Sequence, residues 1–179
     1  MIHILKKISV LCLSLIMFIA CKDNNVPDID KTSVVQGRIL GGWGIHSTKA
    51  YVNVKASSKP YLAPYNLEDK LQEKLDDKAS GIAFYFEKEI VYFFREGVLR
   101  DSSRYVLDEY KIQLDNPELI GFYAPYFYIK FSDELLITYL RREETLELLE
   151  KDGSIDSFFM GLIRSTVEDA QCELHFQRN

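Results

Sequence analysis

The sequence predicts a mainly β domain, an antiparallel up-and-down barrel (or the related sandwich) of about eight strands with one or two accessory helices. Cys172, Leu174 and Phe176 alternate with Glu173, His175 and Gln177, giving one dry and one wet face at the period of a strand. Residues 81–87 and 89–95 lie either side of Lys88 and read as a tight hairpin. From Val34 onward, apolar, aromatic and β-branched residues come in short runs broken by turn signals, which favours strands over helices.

Taken in order, residues 36–49 supply the first strand. Asn66 then caps a run in which Leu67, Leu71 and Leu75 recur among charges at the spacing of an amphipathic helix. The hairpin at 81–95 carries aromatics on both faces, Phe84, Tyr85 and Phe86 and then Tyr92, Phe93 and Phe94, so both faces need cover. Tyr110, Ile112 and Leu114 alternate with Lys111 and Gln113 as a further strand. Residues 122–131 and 134–142 form another hairpin across Ser132-Asp133, with Phe127, Ile129 and Phe131 inward, and a strand over 145–151 follows. Ile155, Phe158, Phe159, Leu162 and Ile163 take helical spacing after Asp152-Gly153-Ser154. Their wide apolar face is the expected cover for the outer aromatics of 81–95. The strand around residues 172–177 completes the set.

The N-terminal residues follow a different logic. Lys6 and Lys7 precede an apolar run ending in Phe18-Ile19-Ala20, the basic, apolar, small order of a secretory signal over residues 1–20. The run from 8 to 20 is too short to cross ~30 Å of hydrocarbon, which takes about 20 apolar residues. Cys21 follows the small residue directly, an arrangement that resembles the lipobox of bacterial lipoproteins, with Phe18 where that motif usually has leucine. The resemblance implies that Cys21 becomes the first mature residue and carries lipid through its sulfur. Lys22 stands where an aspartate would resemble an inner-membrane retention signal, so the implied address is the outer membrane, on its periplasmic or surface face. Residues 21–33 are polar, contain Pro27 and read as a flexible tether, leaving 34–179 as a single β domain.

Removal of residues 1–20 leaves 159 residues, one domain's worth and enough to bury ~70% of its unfolded surface. Lys6 and Lys7 leave with the signal, so 20 basic side chains face 27 acidic ones and the formal charge moves from −5 to −7. Such a chain has no electrostatic footprint for nucleic acid. It is not drawn to anionic lipid either, so acyl chains must do the anchoring. With Cys12 cleaved away and Cys21 acylated, Cys172 has no disulfide partner and reads as a small buried apolar residue.

Gly41-Gly42-Trp43 on the first strand resembles the Gly-x-Trp signature of lipocalins. The rhythm of residues 93–97, of Tyr105-Val106-Leu107 leading to 111–114, and of the turn from Phe131 to Leu135 is similar to lipocalin-like domains of bacterial lipoproteins. The resemblance covers most of residues 34–179. It implies that Gly41 and Trp43 belong to a barrel-closing motif in which a late arginine packs over the tryptophan ring, and Arg178 is the residue placed to play that part.

The sequence carries no recognisable catalytic constellation. His46 and His175 are the histidines of the mature chain and lie far apart in sequence, with no HExxH, no paired cysteines, no Gly-x-Ser-x-Gly elbow and no phosphate-cradling loop. No metal, cofactor or catalytic residue is assigned. The acidic runs at 68–77 and 141–150 read as solvated faces. Tyr61-Leu62-Ala63-Pro64-Tyr65 and Tyr123-Ala124-Pro125-Tyr126 are similar stretches in which proline fixes a turn and tyrosine offers a flat ring with a polar tip. Tyr61, Tyr65, Tyr123 and Tyr126 are therefore candidates for a platform stacking a sugar or an aromatic partner, against the plainer alternative of tyrosines packed at the barrel rim. The expected function is a non-catalytic binding module for a small apolar or sugar ligand in the barrel mouth. The alternative is an accessory or inhibitor subunit of an envelope complex, acting through its loops; an enzyme ranks last. An open apolar cup argues for the first, and an interior filled by side chains for the second.

Overall fold

The computed structural model describes residues 31–116, 126–151, 155 and 157–179. The expected signal, Cys21, most of the tether and Tyr123 lie outside the described residues. Eight strands form a closed up-and-down barrel: β1 (Gly41–Val54), β2 (Ile82–Phe86), β3 (Ile90–Arg95), β4 (Val98–Leu107), β5 (Lys111–Leu114), β6 (Tyr126–Ser132), β7 (Leu135–Leu140) and β8 (Val167–Arg178). Each pairs antiparallel with the next, and β8 pairs back onto β1 from Trp43–Arg178 to Val54–Val167. The expected fold class is the observed one.

Opposed residues of an antiparallel pair share a face, so the register sorts inside from outside. Phe84, Phe86, Phe93, Tyr105 and Phe176 point inward and meet ring to ring, with Phe84 at 5.2 Å from Phe176 and Phe86 at 5.4 Å from Tyr105. This aromatic plug fills the end of the barrel where β1 begins. The other half is filled by a helix.

That helix, α3 (Leu67–Ala79), follows β1 after a short 3-10 turn, the one-turn α2 (Lys59–Leu62) and a second 3-10 turn. It follows from the sequence: acidic Glu68 and Asp69 in its first turn, Lys78 in its last, and Leu67, Leu71, Leu75 and Ala79 buried on one stripe. β1 pairs with β2 only over Gly41–Gly44, after which its outer edge has no strand beside it. α3 takes that place. The amide of Ala50 donates to Gln72 Oε1 at 2.7 Å and that of Val52 to Glu68 Oε2 at 3.0 Å, while Gln72 also donates to Thr48. Side chains of a helix thus satisfy donors that a neighbouring strand normally would. On its buried stripe, Leu75 enters the interior among Phe127, Thr138, Leu140, Cys172 and Leu174, where no room for a water molecule remains.

Three expectations are corrected. Residues 31–39 form a helix, α1 (Lys31–Ile39), so the first strand starts at Gly41 instead of residue 36, and the helix takes in the last three residues assigned to the tether. Val34-Val35 resembles a strand, but Val35 and Ile39, four apart, pack together against the core. Residues 145–151 belong to a helix, α4 (Arg142–Lys151): Leu146 and Leu148 mimic alternation, yet Thr145, Leu146 and Leu149 make a buried helical stripe. Finally, α5 (Ser157–Thr166) packs on α4 and β8 and sets Phe159 against Tyr65 at 4.9 Å. The outer aromatics of 81–95 do not receive the expected cover, and Tyr85 is left 46% exposed.

Cys172 faces the filled interior, and burial pushes its thiol up to about 12, with a hydrogen bond from Thr145 acting the other way. The folded protein is expected to leave Cys172 unmodified by iodoacetamide at neutral pH and to label it fully in denaturant. Peptide mapping that finds Cys172 alkylated in the native protein contradicts the packing described.

Candidate functional site

The tryptophan end is built from three pieces. Gly41, at φ 105, makes the bend from α1 into β1 in a conformation that favours glycine. Trp43 is buried, and its indole Nε1 donates to the carbonyl of Ile39 at 2.6 Å. Arg178, opposite Trp43 in the β1–β8 ladder, lays its guanidinium over the indole at 4.9 Å and donates through Nη2 to the carbonyls of Arg38 (2.6 Å) and Leu40 (3.3 Å). Those carbonyls lie at the C-terminal end of α1, where helices leave acceptors unsatisfied and favour a cation. Gly41, Trp43 and Arg178 are therefore brought together, and they pin α1 across the barrel end. Arg38 similarly lies 4.3 Å over Phe131, leaving a shallow groove of about 580 Å³ beside Asp133 and Glu134.

Among the described residues, the candidate tyrosines Tyr61, Tyr65 and Tyr126 have no contact with one another and keep different partners. Tyr61 is exposed and Tyr65 packs on Phe159. Tyr126 sits on β6 with different partners: Tyr128 edge-on at 5.4 Å, Lys111 Nζ 4.7 Å above its ring, and Glu144 of α4, to which its hydroxyl donates at 2.9 Å. That hydrogen bond is the main reason its hydroxyl is held far above the usual phenol range, a second one with Tyr128 adding to it. Tyr123 lies outside the described residues.

A second assembly, absent from the sequence reading, covers the outer wall of β5–β8 and β1. Its central row runs straight across five strands: Lys111, Tyr128, Tyr139, Glu173 and Lys49 are successive partners in the ladders. Tyr128 and Tyr139 stack at 5.4 Å, Arg141 lies 3.7 Å over Tyr128, and Lys130 lies 5.4 Å over Tyr139 while pairing with Glu173 at 2.7 Å. Tyr128 is buried although it points outward, because these long side chains lie over it. The signal was available in the sequence: Tyr126, Tyr128 and Lys130 hold the parity opposite to inward Phe127, Ile129 and Phe131, which marks them as outward.

Glu173 is the acid at the centre of this wall. Burial raises its pKa, but hydrogen bonds from Lys130 and His175, with their charges, outweigh it and hold the carboxyl below its ordinary value. Lys49 faces it from β1. A depressed carboxylate stabilises the fold above its unfolded pKa of about 4.3 and loses that contribution as pH falls through the folded value. Urea midpoints are therefore expected to fall on acidification below about pH 4, and less steeply in Glu173→Gln. Equal slopes for the two proteins contradict the assignment.

Among the described residues, no three metal-ligating side chains converge, and no helix is long and apolar enough to cross a membrane. No protein-family model matches the chain, and comparison with curated proteins and with solved structures gives no match either.

Proposed function

We infer that this chain is a lipid-anchored, non-catalytic protein of the cell envelope whose lipocalin-like barrel acts through its outer surface, as an accessory or inhibitory subunit of a larger complex. The observation that carries this reading is the filled interior. An eight-stranded barrel is just wide enough either to hold one small ligand or to be packed by its own side chains. Here Phe84, Phe86, Phe93, Tyr105 and Phe176 occupy one half and Leu75 of α3 the other. Arg178 over Trp43 supports the lipocalin-like part of the reading, since that resemblance implied the pair. The anchor rests on Cys21 after its apolar run; the ten residue steps from Cys21 to Lys31 reach at most about 35 Å, keeping the barrel near the membrane face.

A small apolar or sugar ligand remains the second reading, on one observation. A groove of about 280 Å³ lined by Val52, Val54, Leu62, Ala63 and Leu67 lies beside the stretch that carries Tyr61 and Tyr65. It falls below the ~300–1,000 Å³ typical of enclosing pockets, and the larger groove of about 580 Å³ at the tryptophan end is lined mostly by the charged side chains Arg38, Asp133, Glu134 and Arg178, which do not suit an apolar guest.

Native mass spectrometry of the protein purified from its own host separates the two. Surface action predicts a co-purifying protein and a barrel of its own mass; a retained stoichiometric small molecule overturns it. The anchor is tested separately: labelled palmitate is expected on the wild type and absent from Cys21→Ser, and label surviving the substitution removes the anchor.

A further inference from the structure

We propose that the outer wall of β5–β8 and β1 is a docking surface for an acidic segment of a partner protein. This deepens, and rests on, the surface-acting reading given above. Lys49, Lys111, Lys130 and Arg141 stand on this wall of a chain whose formal charge is −5. Glu173 is the carboxylate among them, with Asp169 at the margin beside Lys49 and Glu144 held by Tyr126 at the other. Glu173 is committed to Lys130 and His175, and among the described residues no carboxylate pairs with Lys111 or Arg141. Those two cations are held by tyrosine rings instead.

That arrangement suits an incoming carboxylate. A guanidinium whose carbon lies 3.7 Å over the Tyr128 ring can present N–H groups for a bidentate contact, and the ring already restricts its rotamers, so little freedom is lost on binding. Lys111 and Lys49 end the same cross-strand row, four strand spacings apart, or roughly 19 Å. An extended segment that touches both ends must curve around the wall and run longer than the roughly six residues that would span that distance on a flat sheet. A peptide can follow the convex wall, whereas a flat bilayer meets a barrel along a line and leaves one end of the row unused.

The test uses the full mature chain and a fluorescein-labelled Glu-rich peptide, read by anisotropy at low and high salt. Binding that weakens with salt, and weakens about tenfold or more in Lys111→Gln/Arg141→Gln, is expected, with Arg100→Gln on β4 as the unaffected control. Lys49→Gln, which removes charge without disturbing a stacked ring, is expected to weaken binding by about threefold to fivefold and keeps the test intact if the double variant does not fold. No binding, binding indifferent to the wall substitutions, or tighter binding to phosphatidylglycerol vesicles than to the peptide overturns the proposal. A retained small molecule in native mass spectrometry defeats the surface reading itself. A co-purifying protein whose binding survives Lys111→Gln/Arg141→Gln defeats the wall alone.

Discussion

Trp43→Ala is expected to lower stability by about 3–5 kcal/mol, the range for deleting a buried large aromatic. For a domain of this size that corresponds to a drop in Tm of roughly 10 °C or more. Two losses combine. The cavity left among Phe131 and the aromatic plug is one. The other is local: without the indole, Arg178 has no ring to lie on and the carbonyl of Ile39 has no donor, so α1 loses its fixing at the barrel end. Trp43→Phe separates them, restoring most of the packing and omitting the hydrogen bond, at an expected cost of about 1–2 kcal/mol. Thermal unfolding followed by circular dichroism measures both. A Trp43→Ala protein melting within about 2 °C of wild type contradicts the closing role.

Leu75→Ala is expected to cost about 2–5 kcal/mol and to create a site. The side chain fills space bounded by Phe127, Thr138, Leu140, Cys172 and Leu174, and the strands cannot collapse onto the void without breaking their ladders. Apolar cavities of this kind stay dry and accept small apolar guests. Benzene is therefore expected to raise the Tm of Leu75→Ala and to leave that of the wild type unchanged. A wild-type protein stabilised by benzene as much as the variant shows that the interior was open all along, and with it falls the main support for surface action.

Much of the barrel was legible because its inner and outer faces differ in polarity. The alternation from Cys172 to Gln177 identified β8, and Lys88 between two aromatic runs identified the β2–β3 hairpin. Strand β4 was nearly silent: of Val98–Leu107, Ser103 and Tyr105 are buried, Leu107 is half-buried against the core and the other seven face water, so it carries little hydrophobic rhythm of its own. The helices α1 and α4 were misread because Val34-Val35 and Leu146-x-Leu148 imitate strands over a few residues, and burial of the i, i+4 partners was decided by tertiary packing. For the site, the pairing of Trp43 with Arg178 was expected on the lipocalin resemblance alone; what brings them together is the β1–β8 register, which sets Arg178 opposite Trp43. The outer wall was missed because its order lies across strands. Lys111, Tyr128, Tyr139, Glu173 and Lys49 are scattered along the chain and become neighbours only once the register is known.

The stretch between β1 and β2 looks like a dispensable insertion, since a few residues suffice to join two adjacent strands. Its Gln72 and Glu68 nevertheless cap amides that would otherwise face solvent as an open template. Excising it to make a tidier barrel would bare both that ribbon and the greasy hollow behind it, inviting the molecule to complete itself with a stranger's backbone. What reads as decoration is the guard against self-association.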